Sequence, residues 1–199
     1  MHLTQIVITM KKIYLFIIYT FSIFSVSHAQ SVAPLSFEEV IKVNKTNESD
    51  TTSKEQIYSA IIEWIGTNYQ SAKTILEIQD KDNGLIILNA LFDFKCTGLS
   101  GMHYSGVIKY KMKIQVRDGR FKVTIGNFTH EAKKREQTFG LLTTLETRDK
   151  ALVWGQPLKL ENKIWKDAKN TSKKYAENMF LRLSQINFNK ASQKNEDDW

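Results

Sequence analysis

The chain has 199 residues and carries 28 Lys and Arg against 21 Asp and Glu, a formal charge of +7. That balance is mildly basic and falls short of the charge density of a dedicated nucleic-acid binder. Its lone cysteine, Cys96, excludes an internal disulfide, so stability must come from packing.

Lys11-Lys12 precede the uncharged run Ile13–Val26, and Ser27-His28-Ala29 puts small residues either side of a histidine before Gln30. A basic start, a short apolar run and a small-x-small site predict a secretory signal peptide over 1–29. The run is shorter than the about 20 apolar residues that span a bilayer, so cleavage is expected and no transmembrane anchor remains in Gln30–Trp199. Met10 is an alternative start, which would make Met1–Thr9 an extension. No cysteine follows the run, so lipidation at this junction is not expected. The mature chain suits a single domain over 30–190 with a frayed tail at 191–199. Asn-x-Ser/Thr sequons at Asn44, Asn47, Asn127 and Asn170 fit the chance yield of an Asn-, Lys- and Thr-rich chain.

Phe37, Val40, Ile41 and Val43 predict a first strand over Leu35–Val43, and polar Asn44–Thr52 a loop. Ser53 with Gln56 three residues later has the form of a capping box. Ile57, Ile61, Trp64 and Ile65 then recur with helical period, predicting a helix over Lys54–Tyr69. Lys73–Gln79 reads as a strand. Asp80-Lys81-Asp82-Asn83-Gly84 is turn chemistry, its Asn-Gly offering the positive φ angles of a hairpin. Leu85–Lys95 is the next strand, and Thr97–His103 a loop.

Tyr104–Phe128 is the central hairpin. Gly106, Ile108, Tyr110, Met112, Ile114 and Val116 alternate with Val107, Lys109, Lys111, Lys113, Gln115 and Arg117, so one face is apolar and the other basic. Asp118-Gly119 suits a two-residue type I′ turn, and Phe121, Val123 and Ile125 continue the apolar alternation. Thr129–Gly155 reads as an irregular excursion in which Phe139–Leu145 fits a short helix or a strand. Leu160–Ile186 is the last helix, with Ile164, Ala168, Tyr175, Met179, Leu183 and Ile186 facing inward and five lysines on a solvated side. Trp64, Trp154, Trp165 and Tyr175 read mostly as helical-core positions.

The element order β-α-β-β-β-β-α predicts an α+β fold: a mostly antiparallel sheet of about five strands with both helices on its apolar face. The opposite face is left open. The chain resembles domain of unknown function 4468, a group of exported bacterial proteins with a TBP-like fold. The residues that carry the resemblance are the signal peptide, the Phe37–Val43 strand, the Gln56-Ile57-Tyr58 to Trp64-Ile65 helix, the Ile78–Gly84 hairpin and the Tyr104–Phe128 hairpin. It covers roughly Leu35–Phe128 and implies a fold without an activity. TBP itself wedges phenylalanines into the DNA minor groove from its open face; here the open strand shows lysines without interleaved aromatics, which argues against nucleic acid.

Most chemistry is excluded by spacing. Asp80–Gly84 lacks the carboxylate that would close a calcium loop, since Leu91 stands there. Gly98-Leu99-Ser100-Gly101 misses the second glycine of a nucleophile elbow. His103 and His130 are too few for a metal site, and no cofactor is implied. Cys96 reads as a buried, inert thiol. The reading is an exported, non-enzymatic binding module of the periplasm or cell envelope. Its open face, through Lys109, Lys111, Lys113 and Arg117, is expected to meet an acidic envelope protein, an anionic lipid headgroup or a polysaccharide. Two alternatives stand beside it: an envelope enzyme using His130, Glu131 and Glu146 in the 129–155 excursion, with His130 and Glu131 otherwise surface residues, and a purely structural accessory domain.

Overall fold

The computed structural model describes residues 32–43, 51–96 and 101–188. The expected signal peptide, the Asn44 and Asn47 sequons, Gly98 and the 191–199 tail lie outside the described residues. The core is an antiparallel sheet in the order β1-β5-β4-β3-β2, with a short β6 also pairing β5. The strands are β1 Ser36–Lys42, β2 Leu76–Asp80, β3 Leu85–Phe94, β4 Gly106–Arg117, β5 Arg120–Ala132 and β6 Gly140–Leu141. The helices are α1 Lys54–Asn68, a single turn α2 Ala72–Ile75, and α3 Leu158–Ser184. This is the α+β plan expected from the element order, with α1 and α3 on one side.

Burial follows the sequence period. Ile108, Tyr110, Met112, Ile114 and Val116 of β4 are buried, as are Phe121, Val123 and Ile125 of β5. Ile57, Ile61 and Ile65 of α1 and Ile164, Ala168, Met179 and Leu183 of α3 close over them. The capping box is formed: the Ser53 hydroxyl accepts from Gln56 N, and the Gln56 carboxamide accepts from Ser53 N.

Several local expectations are corrected. The expected strand Lys73–Gln79 begins as the helical turn α2, and strand starts only at Leu76. Ser71 O accepts from both Thr74 N and Ile75 N, which closes the turn locally before β2 can extend. The Asp118-Gly119 turn is not type I′. Gly119 is left-handed (φ +68°) while Asp118 is not, because the turn is held from outside: Asp118 Oδ1 accepts from Lys54 N at 2.7 Å, and Gly119 N donates to Thr52 O. Likewise, Gly84 alone supplies positive φ at the first hairpin (φ +63°). Trp154 is not a core residue but is fully exposed in a turn.

β5 continues to Ala132, so the start of the 129–155 segment is strand rather than irregular chain. A bulge carries it there. Lys111 pairs with Gly126, but Lys109, two residues back, pairs with Thr129, three residues on. The extra residue sits at Asn127, in the left-handed region at φ +54°. The inward set shifts from Phe121, Val123 and Ile125 to Phe128 and His130.

Candidate functional site: the open sheet face

Lys109, Lys111, Lys113 and Arg117 all stand on the face of β4 turned away from the helices, as the alternation requires. They are not equivalent. Lys109 Nζ lies 2.7 Å from Glu131 Oε1, and Lys111 Nζ lies 2.8 Å from Glu77 Oε2. Lys111 and Asn89 hold the Glu77 carboxyl below its ordinary range. Lys113 acts on Glu38 only from a distance; that carboxyl is lowered chiefly by Lys122, at 3.2 Å, and by the Thr124 hydroxyl.

Arg117 differs again. It pairs in register with Arg120 across the hairpin end, and Arg120 pairs with Lys42 of β1. Three cations thus stand in one row across three strands. Among the described residues none of them, nor Lys113, makes an ion pair. Like charges directly opposite on a sheet repel, and among the described residues no carboxylate lies within ion-pair distance of them. A depression of about 290 Å³ beside the row is lined by Val40, Gln115, Arg117, Arg120 and Lys122. Arg120 was legible from the hairpin register; Lys42 required knowing that β1 pairs with β5.

A larger cleft of about 830 Å³ occupies the other part of this face. Lys109, Lys111, Leu91 and Asn127 contribute from the open side. Past the outer edge of β3, Tyr69 and Gln70 contribute from the helix side. Behind Tyr69 is a row of hydroxyls: Tyr69 to Tyr110 at 3.0 Å and Tyr110 to Tyr175 at 2.9 Å. Burial pushes the Tyr69 phenol up to about 12 and raises Tyr110 further.

The 129–155 segment does not assemble the acid-base trio of the alternative reading. His130 is fully buried, correcting its expected place on the surface; the Asn127 bulge turns it inward. Phe139 N donates to His130 Nδ1 at 3.1 Å, so the other nitrogen, Nε2, carries the proton and donates to Tyr104 O at 2.8 Å. Burial lowers the His130 pKa, and the bond from Phe139 N requires an unprotonated Nδ1. Glu131 points to the opposite face, onto Lys109, and Glu146 is exposed. Among the described residues, no hydrogen bond or ion pair joins these three side chains.

The segment is instead fastened to α3. Asn162 Oδ1 accepts from Arg148 N at 2.7 Å, and its amide returns a bond to Arg148 O. Trp165 Nε1 donates to Leu145 O at 3.0 Å. Buried Glu161 accepts from Leu152 N, Val153 N and the Tyr104 hydroxyl. Burial pushes the Cys96 thiol up to about 11, away from nucleophilic thiolate. Among the described residues, no group of three or more His, Cys, Asp or Glu could hold a metal ion.

The fold has a solved counterpart. A TBP-like protein from Parabacteroides distasonis ATCC 8503 superposes with a TM-score of 0.55 at 18% identity, over 80% of this chain and 94% of that one. A DUF4468 family protein from Bacteroides ovatus ATCC 8483 gives a TM-score of 0.48 at 12% identity, over 75% and 86%. None of the curated proteins matches this sequence. The family described as "Domain of unknown function (DUF4468) with TBP-like fold" matches residues 37–131, from β1 to the end of the central hairpin. With the sheet order and the central hairpin in place, residues 37–131 of this chain match the DUF4468 family, and the likeness to the Parabacteroides distasonis protein shows the TBP-like fold.

Proposed function

We propose that this protein is an exported, non-enzymatic binding module of the cell envelope whose open sheet face meets an acidic partner. The observation that carries the reading is the unrelieved row Arg117, Arg120 and Lys42, with Lys113 nearby. Lys109 and Lys111 are already neutralised by Glu131 and Glu77 and act as scaffold. Two guanidinium groups side by side suit carboxylates, which they bind through paired N–H donors. An acidic protein segment is therefore favoured over a lipid headgroup or a polysaccharide.

The test uses mature Gln30–Trp199 and poly-L-glutamate as probe, beside vesicles of anionic phospholipid. Binding to polyglutamate should weaken about tenfold or more when salt is raised well above physiological strength. An Arg117→Glu/Arg120→Glu variant of confirmed fold should lose it, and Lys109→Glu should not. Equal binding by the double variant overturns the reading, and a preference for vesicles replaces protein by membrane as the partner. Export is checked separately: the cell-envelope fraction should hold a form beginning at Gln30.

A further inference from the structure

Among the described residues, part of β3 has a strand on one side only. β2 pairs with β3 only over Leu85–Leu88, because α2 ends the approach of the chain at Leu76. From Asn89 to Phe94, β3 is paired on its β4 side, and among the described residues no strand covers the other side. Over these six residues, about 20 Å of strand, every second residue presents its backbone N–H and C=O to that side. Such an edge is normally blunted by charge, proline or a covering element. Here Asp93 alone brings a charge, and Leu91 is 54% exposed. The outer strand β1, by contrast, carries Glu38, Glu39 and Lys42.

The large cleft meets this edge at Asn89, Ala90 and Leu91 and runs on across the open face of β4 to Asn127 and Thr129 of β5. Its walls come from both faces of the sheet, which a pocket for a compact ligand on one face would not require. An added strand does require it, since its side chains alternate between the two faces. The walls differ accordingly. Leu91 and the stems of the neutralised Lys109 and Lys111 form the open side, and Tyr69, Gln70 and Ile75 form the helix side. With both lysines held by glutamates, the cleft has little net charge to offer an ionic ligand.

The geometry points to strand addition: the Asn89–Phe94 edge of β3 accepts an extended, uncharged peptide segment of a partner protein, which continues the sheet beyond β2. An extended peptide is favoured over a second copy of this chain. Edge-to-edge contact along six residues buries far less than the about 1,200 Å² of a standard interface, and Asn68–Ser71 line the cleft beside the edge. This inference is independent of the cation row, which lies at the hairpin end.

The test is amide NMR on the mature chain with a synthetic blocked peptide of alternating Thr and Val, flanked by single lysines for solubility. Binding should slow hydrogen exchange of alternate amides within Asn89–Phe94 about tenfold or more. Leu91→Lys, an exposed position whose substitution leaves the core intact, should weaken peptide binding about tenfold. Protection at β1, or no protection at all, overturns the inference. Concentration-dependent protection of Asn89–Phe94 without peptide overturns it in favour of a second copy.

Discussion

The Tyr104 hydroxyl donates to Glu161 Oε1 across 2.8 Å, with both side chains buried. The same carboxylate accepts from Leu152 N at 2.7 Å and Val153 N at 3.2 Å. It lies in the first turn of α3, where the helix dipole favours negative charge. One side chain therefore fastens the central hairpin, the loop before α3 and α3 itself. Glu161→Gln places an amide N–H₂ against groups that are all donors. It should cost about 1–3 kcal/mol in urea unfolding. Hydrogen exchange at Leu152 and Val153 should accelerate first.

His130 gives stability a pH dependence of known sign. Burial lowers its folded-state pKa below the ordinary 6.5, so the unfolded chain binds the proton more readily. The stabilisation is present above pH 6.5 and is lost as pH falls through the depressed folded-state value. Protonation also removes the acceptor that Phe139 N needs, loosening the join between β5 and β6. Denaturation midpoints measured from pH 8 downward should fall across this window. A His130→Asn variant should show a flatter profile.

The tyrosine row gives the opposite sign at alkaline pH. Tyr69 is pushed up to about 12, and Tyr110, between Tyr69 and Tyr175, is raised as well. Their unfolded counterparts ionise near pH 10. Stability is therefore full below about pH 10 and declines as pH rises toward 12. Ultraviolet titration of the folded protein should leave part of the tyrosine absorbance change outstanding at pH 11. Tyr110→Phe removes the shared centre and should lower stability by about 1–2 kcal/mol.

Two glycines should respond oppositely to alanine. A Cβ at Gly106 would overlap the Glu131 carbonyl oxygen and meet Ala132 Cα at 2.8 Å, both backbone atoms that cannot step aside. Gly106→Ala should destabilise by about 1–3 kcal/mol. Gly66 sits in α1, exposed, with nothing within 4 Å of its Cβ position. Gly66→Ala should stabilise by about 0.5–1 kcal/mol through helix propensity. Thermal melts of the two variants check both signs.

Periodicity and local chemistry determined the α+β order, the inward faces of α1, α3, β4 and β5, the Ser53–Gln56 cap and the open placement of Lys109, Lys111, Lys113 and Arg117. These follow from side-chain direction along one element, which neighbouring residues set. Tertiary structure decided the rest. The Asn127 bulge reversed the phase of β5 and buried His130, because a single unpaired residue leaves no mark in composition. Glu77, Glu131 and Glu38 neutralised some lysines and left Arg117 beside Arg120 and Lys42, since partners on other strands depend on register. β2 leaves β3 unpaired beyond Leu88 because a four-residue helical turn stands where the sequence reads as strand, and that choice is made by backbone hydrogen bonds that alternation does not report.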